Sequence, residues 1–143
     1  MDENRLKHSI AVGRKMTEIG KARGLNDNEL QELFVLGCNH DIGYEFKGNK
    51  DHARIGGKIL KNSKYEYWRE IYHHGNARTT YQSLYLDILN LADMQIDSSG
   101  RDIGFEKRLE NIKSRYGAKS NTYKDALLLV QKLKKLAKEK PQN

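Results

Sequence analysis

Five histidines stand within the first 74 residues of a 143-residue chain, at His8, His40, His52, His73 and His74. Four of them fall at or next to expected helix ends, beside loops or beside another acid or histidine. Taken singly, each is the kind of histidine found on a surface or satisfied in a core; together they are harder to dismiss. Imidazole and carboxylate are the usual ligands of Mn, Fe, Co, Ni and Zn, and a helical bundle assembles such sites from inward-facing residues on different helices. Carboxylates are at hand: Asp41 follows His40 directly, and Asp93 lies among Leu89, Leu91, Ala92 and Met94. An acid in the middle of an apolar helix costs several kcal/mol unless it is paired or bound to a cation. A metal would remove that cost.

The elements that must position these groups read as helices. The single proline, Pro141, is nearly terminal, and few segments alternate as strands do, so the expectation is an all-α bundle of six to seven helices. The first is predicted over residues 5–23, with Leu6, Ile10, Met16 and Ile19 at helical spacing and Gly24 as its cap. Asn26, three residues before Glu29, announces a second helix that runs to His40. Residues 43–49 read as a loop, after which Asp51 is expected to cap a short helix over 52–60. Gly56 and Gly57 within it imply the close approach of another backbone. A helix over 64–74 should bury Trp68 and Ile71 and end at Gly75. Residues 81–96 are apolar on most sides, as a central helix would be, and two more helices are expected over 105–116, closed by Gly117, and over 122–137.

Length and composition bound the rest. A chain of 143 residues supports one core, so a single domain over 1–143 is expected, with no internal repeat or linker. With 37% hydrophobic and 31% charged residues it reads as globular and water-borne, and no run approaches the roughly 18 apolar residues of a membrane span. The charged start, MDENRLKHS, is unlike a signal peptide, and the lone Cys38 forms no internal disulfide, so a cytoplasmic location is expected. A net charge of +7 favours anionic partners such as nucleic acid, nucleotides or phosphate esters. The basic stretch 132–140 reads as a solvated helix face.

The string LGCNHDIGY, with His40-Asp41 at the end of an apolar helix, resembles the signature of the HD superfamily of metal-dependent phosphohydrolases. RLKHS is similar to that family's upstream histidine helix, HARIGGKIL to its HPxxGAxxL element, IYHHG to its following histidine motif, and LNLADMQID to the closing helix with its aspartate. Order and spacing agree over residues 5–97, the expected metal-site core. GFEKRLENIKSRYG continues the likeness into the C-terminal helices, 104–138, as in small bacterial HD proteins. The resemblance makes His8, His40, Asp41 and Asp93 the ligands of one metal. Asp41 would bridge to a second held by His52 and by His73 or His74, with family alignment favouring His73. It also makes Asp41 and Asp93 the catalytic carboxylates, and the cofactor two divalent ions from among Mn, Fe, Co, Ni and Zn.

What the resemblance implies is hydrolysis of a phosphoester or phosphoanhydride, of a nucleotide in preference to other esters, by metal-activated water. Related small enzymes include diadenosine tetraphosphate hydrolases. The cyclic-di-GMP phosphodiesterases share the double histidine, but GNARTTY stands here in place of their GYP motif. Tyr44 occupies the place of the lysine in many HDxxK members, and either hydrogen-bonds substrate or packs over the site. Cationic contacts to the phosphoryl group are expected from Lys47, Lys50, Arg54, Arg78 and Arg101, which lie near the ligand segments, each with the alternative of being an ordinary surface charge. Arg108 and Arg115 are read instead as anchors for their helix. The partner is then a small phosphorylated anion, with nucleic acid less favoured and no membrane. Two rivals remain: an HD-type di-iron oxygenase, and a non-catalytic nucleotide- or nucleic-acid-binding module.

Overall fold

A computed structural model describes residues 3–45 and 51–138, and the described residues form seven α-helices and no strand. The first is α1, Glu3–Ala22, which closes in a Schellman turn: Gly24 takes φ +80°, Leu25 N–H donates to Gly20 O and Gly24 N–H to Lys21 O. Next comes α2, Asp27–Asn39, which opens with the expected capping box between Asn26 and Glu29 and ends on His40. A 3-10 turn, Ile42–Glu45, precedes α3, His52–Asn62. The remaining helices are α4, Trp68–His73; α5, Leu84–Asp93; α6, Gly104–Tyr116; and α7, Asn121–Lys138. No helix among the described residues is long and apolar enough to cross a membrane.

Helix α5 is the axis of the bundle, as its apolar sequence requires. Ile88, Leu89 and Ala92 pack with Val12, Met16, Leu33, Leu36 and Ile71 of α1, α2 and α4. Leu91 and Met94 pack on the other side with Leu109 and Ile112 of α6 and Leu129, Val130 and Leu133 of α7. Each buried aliphatic side chain is worth roughly 1.5–3 kcal/mol, so the last residue of α5, Asp93, is held by both halves of the core.

Three expectations are corrected. Asp51 lies in the left-handed region, φ 60°, and makes no side-chain cap bond; it is a sharp turn into α3 that a carboxylate tolerates. The helix expected over 64–74 begins only at Trp68, because Lys64 also has a positive φ, 64°, and breaks the chain from α3. Trp68 itself is half-buried, with the Lys61 and Arg69 cations over its ring at 4.9 and 4.5 Å. The central helix is shorter than residues 81–96, since Ser83 caps it by accepting from Leu86 N–H.

Close backbone approach is what brings the histidine-bearing ends together. A Cβ on Gly37 would lie 2.4 Å from Gly13 Cα, so α1 and α2 touch at backbone distance. The two helices are antiparallel neighbours, and the contact sets His8 and His40 with ring centroids 5.2 Å apart. The expected approach at Gly56 and Gly57 is present as well: a Cβ on Gly57 would meet Tyr72 Cα at 2.7 Å, which seats α3 on α4. Gly37→Ala should therefore push α1 from α2 and destabilise the chain by about 1–3 kcal/mol, lowering the thermal midpoint by roughly 3–10 °C. A midpoint equal to the parent's in a calorimetric scan would refute this role for Gly37.

Candidate metal centre

Three helices end at one place. His40 is the C-cap of α2, His74 the C-cap of α4, and Asp93 the last residue of α5, while His52 begins α3 and His8 faces inward from α1. Helix C-termini carry partial negative charge, so this convergence favours a cation before any side chain is counted. His8, His40, His74 and Asp41 are almost wholly buried.

The side chains interlock around the two carboxylates. Asp93 Oδ1 is 2.9 Å from His8 Nε2 and 3.2 Å from His40 Nε2. Asp41 Oδ2 is 3.6 Å from His8 Nε2 and 3.3 Å from His40 Nε2. Its other oxygen, Oδ1, faces a different pair, His52 Nε2 at 3.3 Å and His74 Nε2 at 3.6 Å. His52 and His74 approach each other through Nε2 at 3.3 Å.

The far side of each buried ring explains the orientation. His8 Nδ1–H donates to Asp97 O at 2.9 Å, His40 Nδ1–H to Gly37 O at 2.7 Å and His74 Nδ1–H to Ile71 O at 2.6 Å. A backbone carbonyl can only accept, so these bonds assign the proton to Nδ1 and leave each neutral ring with an Nε2 lone pair. Those lone pairs point at carboxylate oxygens, an arrangement that repels unless a proton or a metal lies between. Ligand atoms that share a cation at about 2.1 Å sit roughly 3.0–3.4 Å apart for octahedral to tetrahedral angles, and the contacts here, 2.9–3.6 Å, bracket that spacing. Three groups could hold an ion: His8, His40 and Asp41; His40, His74 and Asp93; and Asp41, His52 and His74. The donor set fits divalent transition metals.

Charge state follows the same logic. Burial opposes the charged form of every group here, yet Asp41 and Asp93 are held well below the ordinary carboxylate value by the imidazoles, His40 foremost. Against the same burial, Asp41 and Asp93 raise His40 and His74 above the ordinary imidazole value. Asp97, whose carbonyl fixes His8, is itself fixed: its carboxylate accepts from Ser99 N–H, Ser99 Oγ–H and Arg101 N–H.

His73 stands apart, correcting the preference for it over His74. α4 ends at His73, and His74 turns into extended backbone with ψ 143°, which swings only the second ring inward. The His73 ring stacks on Tyr81 and its Nδ1 bonds Thr79 Oγ1 at 2.8 Å; burial, with Arg54 and Arg69 nearby, lowers its pKa.

The cluster opens into a cavity of about 970 Å³ whose cations, among the described residues, are Arg5, Arg108 and Arg115. From sequence alone Arg108 and Arg115 are expected to anchor their helix and Arg5 carries no role, although Arg5 precedes His8 by one helical turn and the other two lie in the GFEKRLENIKSRYG segment. Arg5 lies over the Tyr44 ring at 3.5 Å, with Nη1 3.6 Å from Asp41 Oδ2, and Tyr44 stacks on His52 with centroids 4.1 Å apart. Arg78 instead pairs with Asp125, Arg101 pairs with Asp97, and Arg54 is exposed on α3 outside the cavity lining. Lys47 and Lys50 lie outside the described residues.

The family model for the HD domain matches residues 5–137. No curated protein and no solved structure matches the chain.

Removing metal should expose the titration of the cluster. Because the folded-state pKa values of His40 and His74 are raised, their contribution is full below the ordinary imidazole value of 6.5 and is lost as pH rises through the raised values. The depressed Asp41 and Asp93 contribute above 3.8 and lose that contribution only as pH falls through their lowered values. The chelated chain should therefore melt at a lower temperature at about pH 9 than at about pH 6, while added divalent metal should stabilise it most at the higher pH. A chelated chain equally stable at both pH values would contradict the cluster's charge state.

Proposed function

The chain belongs to the HD-domain family, typically metal-dependent hydrolases, and we propose that it is a phosphohydrolase that cleaves a phosphoester or phosphoanhydride, of a nucleotide in preference to other esters, at a two-metal site. The observation that carries the reading is the division of labour at Asp41: one carboxylate oxygen faces His8 and His40, the other His52 and His74. A carboxylate so placed could serve two cations, one through each oxygen.

Divalent cations bound there would supply a hydroxide nucleophile near neutral pH and Lewis-acid stabilisation of phosphoryl charge. The protein's own groups do the remainder. Arg5, fixed between Asp41 and the Tyr44 ring at the cavity wall, offers its guanidinium to a phosphoryl oxygen, the role that lysine would have filled at position 44. Tyr44 stays protonated at neutral pH, since burial, helped by Asp41, pushes its hydroxyl up to about 12, and it can therefore donate to substrate. The backbone carbonyls behind His8, His40 and His74 keep the imidazoles oriented through the cycle. The cationic lining of the cavity supports an anionic substrate.

The test is metal analysis of the purified chain followed by phosphate release from nucleotides and simple phosphate esters with Mn, Fe, Co or Ni. Chelation should abolish turnover and metal should restore it. Removing an outer hydrogen-bond partner of a metal ligand typically costs 10–100-fold, so Asp41→Ala should cost at least about 100-fold in rate and lose more metal than any other single ligand variant. Full metal content in Asp41→Ala would contradict the bridge. Dioxygen consumption with a polyol or phosphonate, without phosphate release, would overturn the hydrolase reading.

A further inference from the structure

The cavity is far larger than the metal cluster needs. Its volume of about 970 Å³ is at the upper end of the roughly 300–1,000 Å³ of small-molecule sites, and one long wall is the inner face of α6. Arg108, Asn111 and Arg115 line that wall at successive turns. Arg108 and Arg115 are seven residues apart, close to two full turns, so they share a face and stand about 10 Å apart along the axis. Arg108 begins the row beside the cluster, with Nε 3.5 Å from the Asp93 carbonyl oxygen. Arg115 ends it at the rim, its guanidinium 5.7 Å from the ring of Tyr116, which is 51% exposed and also lines the cavity.

Anchoring accounts for this row only in part, at Arg108, whose Nε–H donates to the Asp93 carbonyl and ties α6 to α5. Leu109 and Ile112 hold α6 in the core, and the Lys134–Glu106 pair joins it to α7. Both arginines also line the space the substrate would enter. Among the described residues the cavity's carboxylates are Glu3, Asp41 and Asp93, of which Glu3 pairs with Lys7 and the other two face candidate cation positions, so the α6 wall presents positive charge.

We propose that Arg108, Asn111, Arg115 and Tyr116 form a second subsite, which holds a further phosphate and the base of a nucleotide whose scissile phosphate lies at the metal cluster. The substrate is then a nucleotide with at least two phosphates, long enough to reach from Asp93 to the rim, and not a phosphate monoester of a small alcohol or sugar. Arg108 and Arg115 pair with phosphate oxygens, Asn111 donates between them, and the Tyr116 ring offers a face for stacking the base. This rests on the phosphohydrolase reading for the group placed at the metals, but the wall's affinity can be measured without turnover.

Calorimetry on the metal-loaded chain, with divalent metal in excess, should compare a methylene-bridged analogue of adenosine triphosphate with inorganic phosphate. Arg115→Gln and Tyr116→Ala should each weaken the analogue about tenfold, as loss of a charged hydrogen bond or a stacked base does, and change phosphate binding less than twofold. Lys113→Gln removes the same charge from the same helix outside the cavity lining and should change neither. Analogue binding that ignores Arg115→Gln, or equal weakening of both ligands, overturns the subsite. Analogue binding that depends on Arg115 in a chain that releases no phosphate keeps the subsite and discards the hydrolase reading. A chain that hydrolyses simple esters and does not bind the analogue does the reverse.

Discussion

Lone pairs facing lone pairs are the constraint on which this structure depends. His8, His40 and His74 are each pinned by a carbonyl at Nδ1, so their Nε2 atoms have no proton of their own to give the carboxylates they face. His8, His40, His74 and Asp41 are almost wholly buried, which raises the cost of leaving those contacts uncompensated. Only a positive charge at the centre reconciles the arrangement. Without metal it is supplied by protons, which is why His40 and His74 rise while Asp41 and Asp93 fall. With metal, the same side chains would need to shift by only a few tenths of an ångström. A group of neutral donors and two carboxylates already at ligand spacing is a preformed site.

The fold is organised to keep that arrangement in place. The pinning carbonyls belong to the last turns of α2 and α4 and to the loop after α5, so each imidazole is oriented by the element that ends beside it. The glycine contact between α1 and α2 and the seating of α3 on α4 set how near those ends come. Asn90, buried in α5, accepts the Gly75 N–H and so ties the corner that carries His74 to the helix that carries Asp93. The core on both faces of α5 then stabilises what the site alone would disfavour.

The sequence made the ligand set legible because its members are polar groups in apolar or glycine-rich surroundings, where each invites a reason. Asp93 amid leucines and His40-Asp41 at the end of an apolar helix are of this kind. The choice between His73 and His74 was not legible, because it depends on α4 stopping one residue before His74, a boundary set by packing on α5 and α3. Arg78 and Arg101 lie away from the cavity for a related reason. Closeness in sequence to the ligands favoured Arg78 and Arg101, which the fold turns toward Asp125 and Asp97. The arginines at the cavity come from α1 and from α6, and their faces are fixed by the core positions beside them, such as Leu109 and Ile112. Helix number and the capping box at Asn26 came through because they are local, whereas the left-handed Asp51 and Lys64 carry no compositional mark.

The most direct test of this account is long-range proton–nitrogen NMR of the histidine rings in the zinc-loaded chain, assigned by single His→Gln variants. His8, His40 and His74 should each retain the proton on Nδ1 and show Nε2 shifted by the metal, with Asp41 and Asp93 ionised alongside. A proton on Nε2 in any of the three, or metal at Nδ1, would mean that the carbonyls do not set the tautomers and that the cluster is not a preformed cation site.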